Sequence, residues 1–300
     1  MPSLKDYIQA ARLRTLPLSV SGIIVGTAIA IGEGKFHASI LILAILTTIG
    51  FQVLSNFAND YGDGIKGTDD EREGELRLVA SGKITPKQMK KAMTVTIFIT
   101  LIIALLLIYI SFPDNFYKAL LFFALGIASI IAAVKYTVGS NAYGYSGLGD
   151  VFVFLFFGWL SVIGSYYLYS QELNSCYILL PASAIGMLSA AVLNLNNMRD
   201  QIQDKKAGKN TLVVKLGSKK AKNYHYFLIL GSLLCLTTYL YKQESLLTNS
   251  WIFLAYIPLV KNIIVVAKNI LFKDLDTELK KVALSTFLLS ILFLISKLVG

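Results

Sequence analysis

The sequence is poor in charged residues and in cysteine. Charged side chains make up 15% of the 300 residues, whereas about a quarter is usual in soluble domains. The two cysteines, Cys176 and Cys235, lie far apart without metal-binding spacing, so we expect inert thiols. Hydrophobic residues instead make up 55%, and the mean hydropathy is +0.62. This composition excludes a disordered chain, a disulfide-rich secreted module and an ordinary soluble enzyme.

Nine long apolar runs account for the excess of hydrophobic residues. Each run is close to the roughly 20 residues that a helix needs to cross a bilayer, and the first seven contain no charged side chain. Because lipid offers the backbone no hydrogen-bond partners, such runs must be helical. The sequence therefore predicts an all-α, polytopic membrane protein with nine transmembrane helices. The runs cover residues 16–31, 40–56, 92–110, 119–134, 151–169, 177–195, 224–241, 251–266 and 282–298.

The basic residues are distributed unevenly between the connections. If alternate connections lie on opposite sides of a membrane, one side receives 23 of the 28 Lys and Arg residues and the other receives four. The positive-inside rule makes the richer side cytoplasmic, which puts the N-terminus in the cytoplasm and the C-terminus outside. Membrane topology thus explains the net charge of +10, and no nucleic-acid partner is predicted. Lys261 lies inside the eighth run, which makes it a candidate functional residue of open role.

The connections after the second and sixth runs carry the same pattern of polar residues. A shift of 141 positions brings them into register, and four helices separate them, so both have the same orientation. This indicates a parallel internal repeat of helices 1–4 and 5–8, followed by helix 9, in one domain covering residues 1–300. The matched pairs are Leu54 and Leu195, Asn56 and Asn197, Asn59 and Asp200, Asp63 and Asp204, and Gly67 and Gly208.

Within each motif, two oxygen-bearing side chains lie four positions apart. On a helix this spacing aims both side chains of a pair from one face. Neighbouring carboxylates repel each other, and a hard divalent cation removes that conflict. Mg²⁺ binds one or two carboxylates and shares its remaining positions with phosphate oxygens. We therefore predict a magnesium site for a diphosphate, with Asn59, Asp60, Asp63, Asp200 and Asp204 as ligands, among which Asp63, Asp200 and Asp204 are the catalytic carboxylates.

The same two connections contain cations that suit the remaining phosphate oxygens. The acidic residues within 69–75 form a run of charge, and such runs are usually solvated surface. The cations expected to contact the substrate are Arg77, Lys83, Arg199 and Lys209.

The two motifs resemble those of the UbiA superfamily of intramembrane prenyltransferases. Members carry Asn-x-x-x-Asp after helix 2 and Asp-x-x-x-Asp after helix 6, in a bundle of nine helices. Further similar stretches favour the branch that prenylates 1,4-dihydroxy-2-naphthoate in menaquinone synthesis, although residue 150 is Asp where relatives often have Glu. The similar stretches lie at residues 12–17, 59–69, 81–85, 145–150 and 196–212.

The resemblance implies that a polyprenyl chain is transferred from polyprenyl diphosphate to 1,4-dihydroxy-2-naphthoate, with loss of CO₂ and diphosphate. The implied product is demethylmenaquinol, and the implied cofactor is Mg²⁺. The expected location is the cytoplasmic (inner) membrane of a bacterium, with the active site facing the cytoplasm. Further candidates for substrate binding are Arg14, Asn56, Lys135, Asp150, Asn196 and Asn197.

Several of these candidates have a second interpretation. Arg14 precedes the first apolar run, where it can hold the acceptor's carboxylate or the diphosphate, or can simply anchor the helix on the cytoplasmic side. Lys135 and Asp150 flank a glycine-rich connection that can close over the aromatic substrate or merely end two helices. Neither the oligomeric state nor the length of the prenyl chain is predicted.

Other activities fit parts of the pattern. Within the same superfamily, 4-hydroxybenzoate or another aromatic acid is an alternative acceptor. A transporter with two repeats is less favoured, because transporters place polar groups near the bilayer midplane and these carboxylates lie at helix ends. Phosphotransfer to alcohols within the membrane is not supported, because the Asp-Gly…Ala-Arg…Gly…Asp pattern expected for it is absent.

Overall fold

The computed structural model describes residues 2–67, 77–271 and 274–299. All regular elements in this part are helical, and it contains the nine predicted stretches that are long and apolar enough to cross a membrane. The α-helices are α1 (Leu4–Ala11), α2 (Leu16–Gly32), α3 (Ala38–Lys66), α4 (Pro86–Ser111), α5 (Phe116–Lys135), α6 (Gly149–Val153), α7 (Ser161–Ser170), α8 (Leu179–Arg199), α9 (Gln201–Lys206), α10 (Leu212–Lys242), α11 (Tyr256–Lys268) and α12 (Leu275–Val299).

Several of the nine spans consist of more than one helical piece. The first joins α1 to α2 through the 3₁₀ turn Leu13–Thr15, and the fifth joins α6 to α7 through the π-helical segment Phe154–Leu160. Single 3₁₀ turns precede α8 at Cys176–Ile178 and α11 at Ser250–Ala255. Wide π-helical turns are frequent at functional sites, so the fifth span is of interest beyond packing.

A short helix that the apolar pattern did not predict, α1, precedes the first run. A capping box fixes its start: Ser3 Oγ accepts from the N–H of Asp6, and the Asp6 carboxylate accepts from the N–H of Ser3. The helix ends at Arg12, whose φ of 50° is left-handed. Pro17 in the first turn of α2 favours a new start. The 3₁₀ turn that carries Arg14 is therefore held between two helices.

The first polar motif lies in a helix and the second spans the junction of two helices at Asp200, where the sequence predicted connections. The second span continues past residue 56 to Lys66, so the first motif occupies the last turns of α3. After α8 the chain runs into α9, and the N–H of Asp204 donates to the carbonyl of Asp200 at 2.9 Å. Gly67 and Gly208 follow the two motifs with φ values of +70° and +71°, a left-handed conformation that favours glycine. Helical geometry thus keeps the four-residue pairs on one face.

Small residues allow three spans to pack closely. A Cβ on Gly26 of α2 would overlap the backbone carbonyl oxygen of Val162 in α7, so these two helices meet at their backbones. A Cβ on Gly158 of the π-helical segment would lie 2.6 Å from Gly186 Cα of α8. Lipid tails are as apolar as leucine, so helices in a membrane associate largely by such close van der Waals contact.

The helices differ in how far the bundle encloses them. α8 packs against α10, α12 and the π-helical segment, and 56% of its apolar window is buried. α5 packs against α3 and α4, and only 6% of its window is buried. The second motif therefore follows a central helix, whereas α5 turns most of its apolar surface outward. The orientation of the termini and the parallel repeat stay predictions.

We expect Gly158→Ala to lower the midpoint of thermal unfolding of the detergent-solubilised protein. The new methyl group meets backbone atoms, Gly186 Cα at 2.6 Å and the Ala182 carbonyl oxygen at 2.7 Å, and overpacking of this kind costs about 1–3 kcal/mol. Gly126→Ala on α5 is the matched control, because its Cβ meets nothing within 4 Å among the described residues. Equal midpoints for the two variants would contradict this description of the packing.

Candidate active site

A single ammonium group joins the two motifs. Lys209 Nζ lies 3.8 Å from Asp63 Oδ2 and 3.7 Å from Asp204 Oδ1. Asp63 belongs to the end of α3 and Asp204 to α9, so the structure brings carboxylates from the two halves of the chain into one cluster. Both residues are at most 5% exposed, and buried carboxylates need compensating charge.

Asp63 has two further partners from distant connections. Tyr145 Oη donates to Asp63 Oδ1 at 2.7 Å, and Arg77 Nη2 lies 3.7 Å from Asp63 Oδ2. Two ammonium groups face the Tyr145 ring, with Lys66 Nζ 3.8 Å and Lys209 Nζ 5.3 Å from its centroid. Carboxylates and cations thus alternate through the cluster, an arrangement that suits a ligand carrying both signs of charge.

Glycines beside Asp63 allow other segments to reach it. A Cβ on Gly62 would lie 2.8 Å from the carbonyl oxygen of Thr137, in the connection after α5. A Cβ on Gly64 would lie 2.8 Å from Val79 Cγ1, in the segment before α4. Gly62 and Gly64 on either side of Asp63 therefore have a steric role, because they let neighbouring segments approach the carboxylate.

Two residues of the first motif anchor neighbouring segments. Asp60, predicted as a metal ligand, accepts from the N–H of Leu78 at 3.1 Å and from the N–H of Val79 at 3.0 Å, one on each carboxylate oxygen. Asn56, predicted to bind substrate, donates from Nδ2 to the Ala11 carbonyl at 2.8 Å. The structure thus shows Asp60 holding the segment before α4 and Asn56 holding the end of α1. The predicted roles of the two residues in metal and substrate binding stay predictions.

The second motif contains a guanidinium that binds carboxylates. Arg199 Nε donates to Asp200 Oδ1 at 2.7 Å, and Nη2 donates to Asp200 Oδ2 at 2.8 Å. Nη2 also donates to Asn196 Oδ1 at 2.7 Å, and Nη1 donates to Asp276 Oδ1 at 2.6 Å. Arg199 and Asn196, both predicted to bind substrate, are therefore engaged with each other and with Asp200. Asn197, next to them, is 3% exposed.

Asp150 lies in the first turn of α6 as a buried carboxylate, 4% exposed. Asp150 Oδ1 has no hydrogen-bond partner among the described residues. A buried oxygen without a donor is costly and rare. This buried oxygen is therefore a candidate acceptor for a hydrogen-bond donor of a ligand.

Other predicted cations lie outside the carboxylate cluster. Lys83 and Lys135 are exposed, and no contact in the described part of the chain joins them to the cluster. The Arg14 side chain is 40% exposed, with Nη1 4.0 Å from Asp276 Oδ2. Lys261, of open role, lies exposed on α11. Among the described residues, Arg77 and Lys209 contact Asp63 or Asp204, and Lys66, which was not predicted, lies over the ring of Tyr145.

Sequence reasoning missed three residues between α5 and α6. Tyr145 contacts Asp63, and it lies in a stretch that carries the family resemblance. Thr137 Oγ1 donates to the carbonyl of Ala58 at 2.8 Å and lies 3.3 Å from Asn59 Oδ1. No charge or spacing singles out Thr137, because its contact depends on the approach of two connections.

Tyr136 is the third of these residues. Burial raises the pKa of Tyr136, and the negative charges of Asp150 and Asp63 raise it further. Its hydroxyl therefore stays protonated at neutral pH and keeps a hydrogen to donate. Tyr136 lies within electrostatic reach of both the cluster and the buried carboxylate of α6.

The atoms of the cluster that can coordinate a metal are oxygen atoms, which Mg²⁺ prefers as ligands. Among the described residues, no three carboxylate, histidine or cysteine side chains stand close enough to enclose a metal by themselves. Mg²⁺ is usually held by one or two carboxylates together with substrate phosphates. The residues therefore fit a magnesium ion shared with a diphosphate, and they do not form a closed protein site.

Several known proteins are similar to this chain in sequence. The chain is 46% identical over 256 residues to 1,4-dihydroxy-2-naphthoate octaprenyltransferase of Escherichia coli, covering 85% of this chain and 82% of the relative. It is 41% identical to the protein of the same name from Haemophilus influenzae, covering 99% and 97%. It is also 27% identical to a UbiA prenyltransferase domain-containing protein 1 of Dictyostelium discoideum, covering 92% and 82%.

Solved structures show the same fold at low sequence identity. A UbiA homologue from Archaeoglobus fulgidus matches with a TM-score of 0.70 at 15% identity, covering 98% of both chains. The same homologue bound to GPP and Mg²⁺ matches with a TM-score of 0.64. The family description "UbiA prenyltransferase family" matches residues 19–292. With that match over nearly its whole length, the chain belongs to the UbiA prenyltransferase family.

Proposed function

We propose that this multi-pass membrane prenyltransferase transfers a polyprenyl chain from polyprenyl diphosphate to 1,4-dihydroxy-2-naphthoate. The C–O bond to the diphosphate breaks, a C–C bond forms between the chain and the ring, and the ring carboxylate leaves as CO₂, giving demethylmenaquinol. The observation that carries this proposal is the Lys209 ammonium shared by Asp63 and Asp204. The names of the Escherichia coli and Haemophilus influenzae relatives support the choice of acceptor.

Mg²⁺ is the proposed cofactor, and the homologue solved with GPP and Mg²⁺ supports it. When bound, Mg²⁺ neutralises negative charge on the departing diphosphate. Asp63 and Asp204 are the proposed ligands at the point where the motifs meet, and Asn59 and Asp200 lie one helical turn before them on the same faces. Helix α3 and the α8–α9 junction fix these oxygens before the substrate arrives.

Arg77 and Lys209 are the proposed diphosphate contacts. Their nitrogen atoms lie 3.7 to 3.8 Å from the carboxylate oxygens, longer than the roughly 2.7–2.9 Å of a tight charge-assisted hydrogen bond. Little is therefore lost when these cations turn toward phosphate oxygens and the carboxylates turn toward the metal. Fixed cations aimed at the leaving group stabilise the charge that grows there as the C–O bond breaks.

The acceptor ring is proposed to bind at the connection between α5 and α6. Asp150 Oδ1 accepts a hydrogen bond from a ring hydroxyl, and the protonated hydroxyl of Tyr136 donates to an acceptor oxygen. Next to them, the rings of Tyr143 and Phe152 stack with centroids 4.0 Å apart. This apolar wall limits the access of water, which would otherwise capture the allylic cation.

The site is proposed to face the cytoplasm of a bacterial cytoplasmic membrane. Both motifs lie on the side that the distribution of Lys and Arg assigns to the cytoplasm. The polyprenyl tail then extends among the apolar helices, while the diphosphate stays at the charged cluster. The matched motifs also support the parallel repeat, which we retain as a proposal for the organisation of residues 1–300.

We predict that Asp63→Ala and Asp204→Ala each lower the rate of prenyl transfer by about 100-fold or more, because each removes both a metal ligand and a partner of Lys209. The measurement is transfer of a radiolabelled prenyl chain by purified protein with Mg²⁺. Asp114→Ala, which removes an exposed carboxylate between α4 and α5, is the control and should retain full activity. Full activity of either Asp63→Ala or Asp204→Ala would show that the carboxylate concerned is not a metal ligand.

The acceptor is tested with two carboxyl-labelled acids offered to one preparation. With 1,4-dihydroxy-2-naphthoate, we expect one labelled CO₂ released for each prenyl chain transferred, because the ring loses its carboxylate. With 4-hydroxybenzoate, we expect little or no transfer. Efficient prenylation of 4-hydroxybenzoate with retention of its label would establish the alternative activity and overturn this choice of acceptor.

A further inference from the structure

Helix α12 begins with two carboxylates that point in different directions. Asp276 and Glu278 lie two positions apart, which separates them by about 200° around a helix. Glu278 is 3% exposed and accepts from Asn262 Nδ2 at 2.8 Å, and Asn262 Oδ1 lies 2.7 Å from His225 Nε2. These contacts fix one side of the first turn of α12 against α10 and α11.

The other side of this turn reaches the second motif. Asp276 Oδ1 accepts from Arg199 Nη1 at 2.6 Å. The opposite edge of the same guanidinium donates to both oxygens of Asp200, at 2.7 and 2.8 Å. The side chains of Arg199 and Asp200 are 7% and 10% exposed, so this pair is largely withdrawn from water, whereas the Asp276 side chain at the other end of the row is 34% exposed.

Because Arg199 is shared between two carboxylates, the affinity of Asp200 for a metal changes. An arginine that pairs with Asp200 alone would neutralise this carboxylate and compete with a metal for its oxygens. A second carboxylate on the far edge of the guanidinium draws part of the positive charge away and leaves Asp200 more negative. The same contact holds the guanidinium plane in place, which orients Asp200, and partners of this kind alter metal affinity by about 10- to 100-fold.

We propose that Asp276 is a positioning residue for the metal site. It holds Arg199, and through Arg199 it sets the affinity of Asp200 for the divalent cation. This inference rests on the proposed function of the two motifs. It assigns a role in the chemistry to the ninth span, for which the sequence suggested only generic hydrophobicity.

The remaining contacts of Asp276 are longer and more exposed. Arg14 Nη1 lies 4.0 Å and Lys280 Nζ lies 3.7 Å from Asp276 Oδ2, and both cationic side chains are at least 40% exposed. Exposed pairs of this length contribute little. The tight contact with Arg199 is therefore the one through which Asp276 acts.

The test measures binding of Mn²⁺, a paramagnetic substitute for Mg²⁺, by electron paramagnetic resonance of the purified full-length protein. Geranyl thiodiphosphate, an unreactive diphosphate analogue, is present throughout, and a protein-free titration is subtracted. We expect Asp276→Asn to weaken Mn²⁺ binding by about 10-fold and to raise the Mg²⁺ concentration for half-maximal activity by the same factor. The KM for the naphthoate and the midpoint of thermal unfolding should stay unchanged, and Asp276→Glu should restore most of the affinity.

Two further variants separate this role from general effects. Asp274→Asn removes the same charge from an exposed position two residues earlier and should leave Mn²⁺ affinity unchanged. In an Arg199→Gln background, Asp276→Asn should change the affinity by less than about 2-fold, because contacts that act through one residue do not add. An undiminished effect in that background would show that Asp276 acts elsewhere and would overturn the inference.

The two proposals fail in different ways. If the unmodified protein does not bind Mn²⁺ with the analogue, the metal assignment of the motifs is wrong. If the unmodified protein binds Mn²⁺ and Asp276→Asn binds it equally well, only the role of Asp276 is wrong. A fall in the unfolding midpoint together with a changed KM for the naphthoate would identify a structural role and also overturn the inference.

Discussion

Buried carboxylates must be compensated, and this requirement organises the end of the bundle that carries the two motifs. Asp63, Asp200 and Asp204 are each less than 10% exposed, and each lies beside a cation from its own motif or from another connection. Such an arrangement is stable without a ligand because the charges balance. It can also bind a metal–diphosphate complex, because the carboxylates can bind the metal while the cations bind the diphosphate. The stability of the ligand-free protein and the binding of the ligand thus depend on the same carboxylate–cation pairs.

The rest of the fold brings these pairs to one place. Close backbone contacts at Gly26 and Gly158 pack the first, fifth and sixth spans tightly, and α8 carries the second motif out of the centre of the bundle. Asp60 and Asn56 tie the flanking segments to α3. Segments on which nothing catalytic is proposed therefore decide where the reactive groups lie. The first turn of α12 does the same for the last span, because its Asp276 holds Arg199 beside Asp200.

The sequence predicted the number and position of the spans and the pairing of the motifs, because hydrophobic length and residue spacing are local properties. Asp63 and Asp204, which the shift of 141 positions aligned, do meet. The partners that depend on tertiary approach were not predictable: Tyr145 donates to Asp63 from a connection 82 residues along the chain, and no local pattern links the two residues. The two backbone amides that donate to Asp60 were not predictable either, and its role as a metal ligand stays a prediction. The continuation of α3 through the first motif and the short helix α9 within the second were missed because polar residues were taken as the end of each span.

The most direct test of the central claim is anomalous X-ray diffraction from crystals of the full-length protein soaked with Mn²⁺ and geranyl thiodiphosphate. The account predicts anomalous density between α3 and α9, at coordination distance from carboxylate oxygens of both motifs and from the diphosphate. Density confined to one motif, or a diphosphate bound away from both, would contradict it.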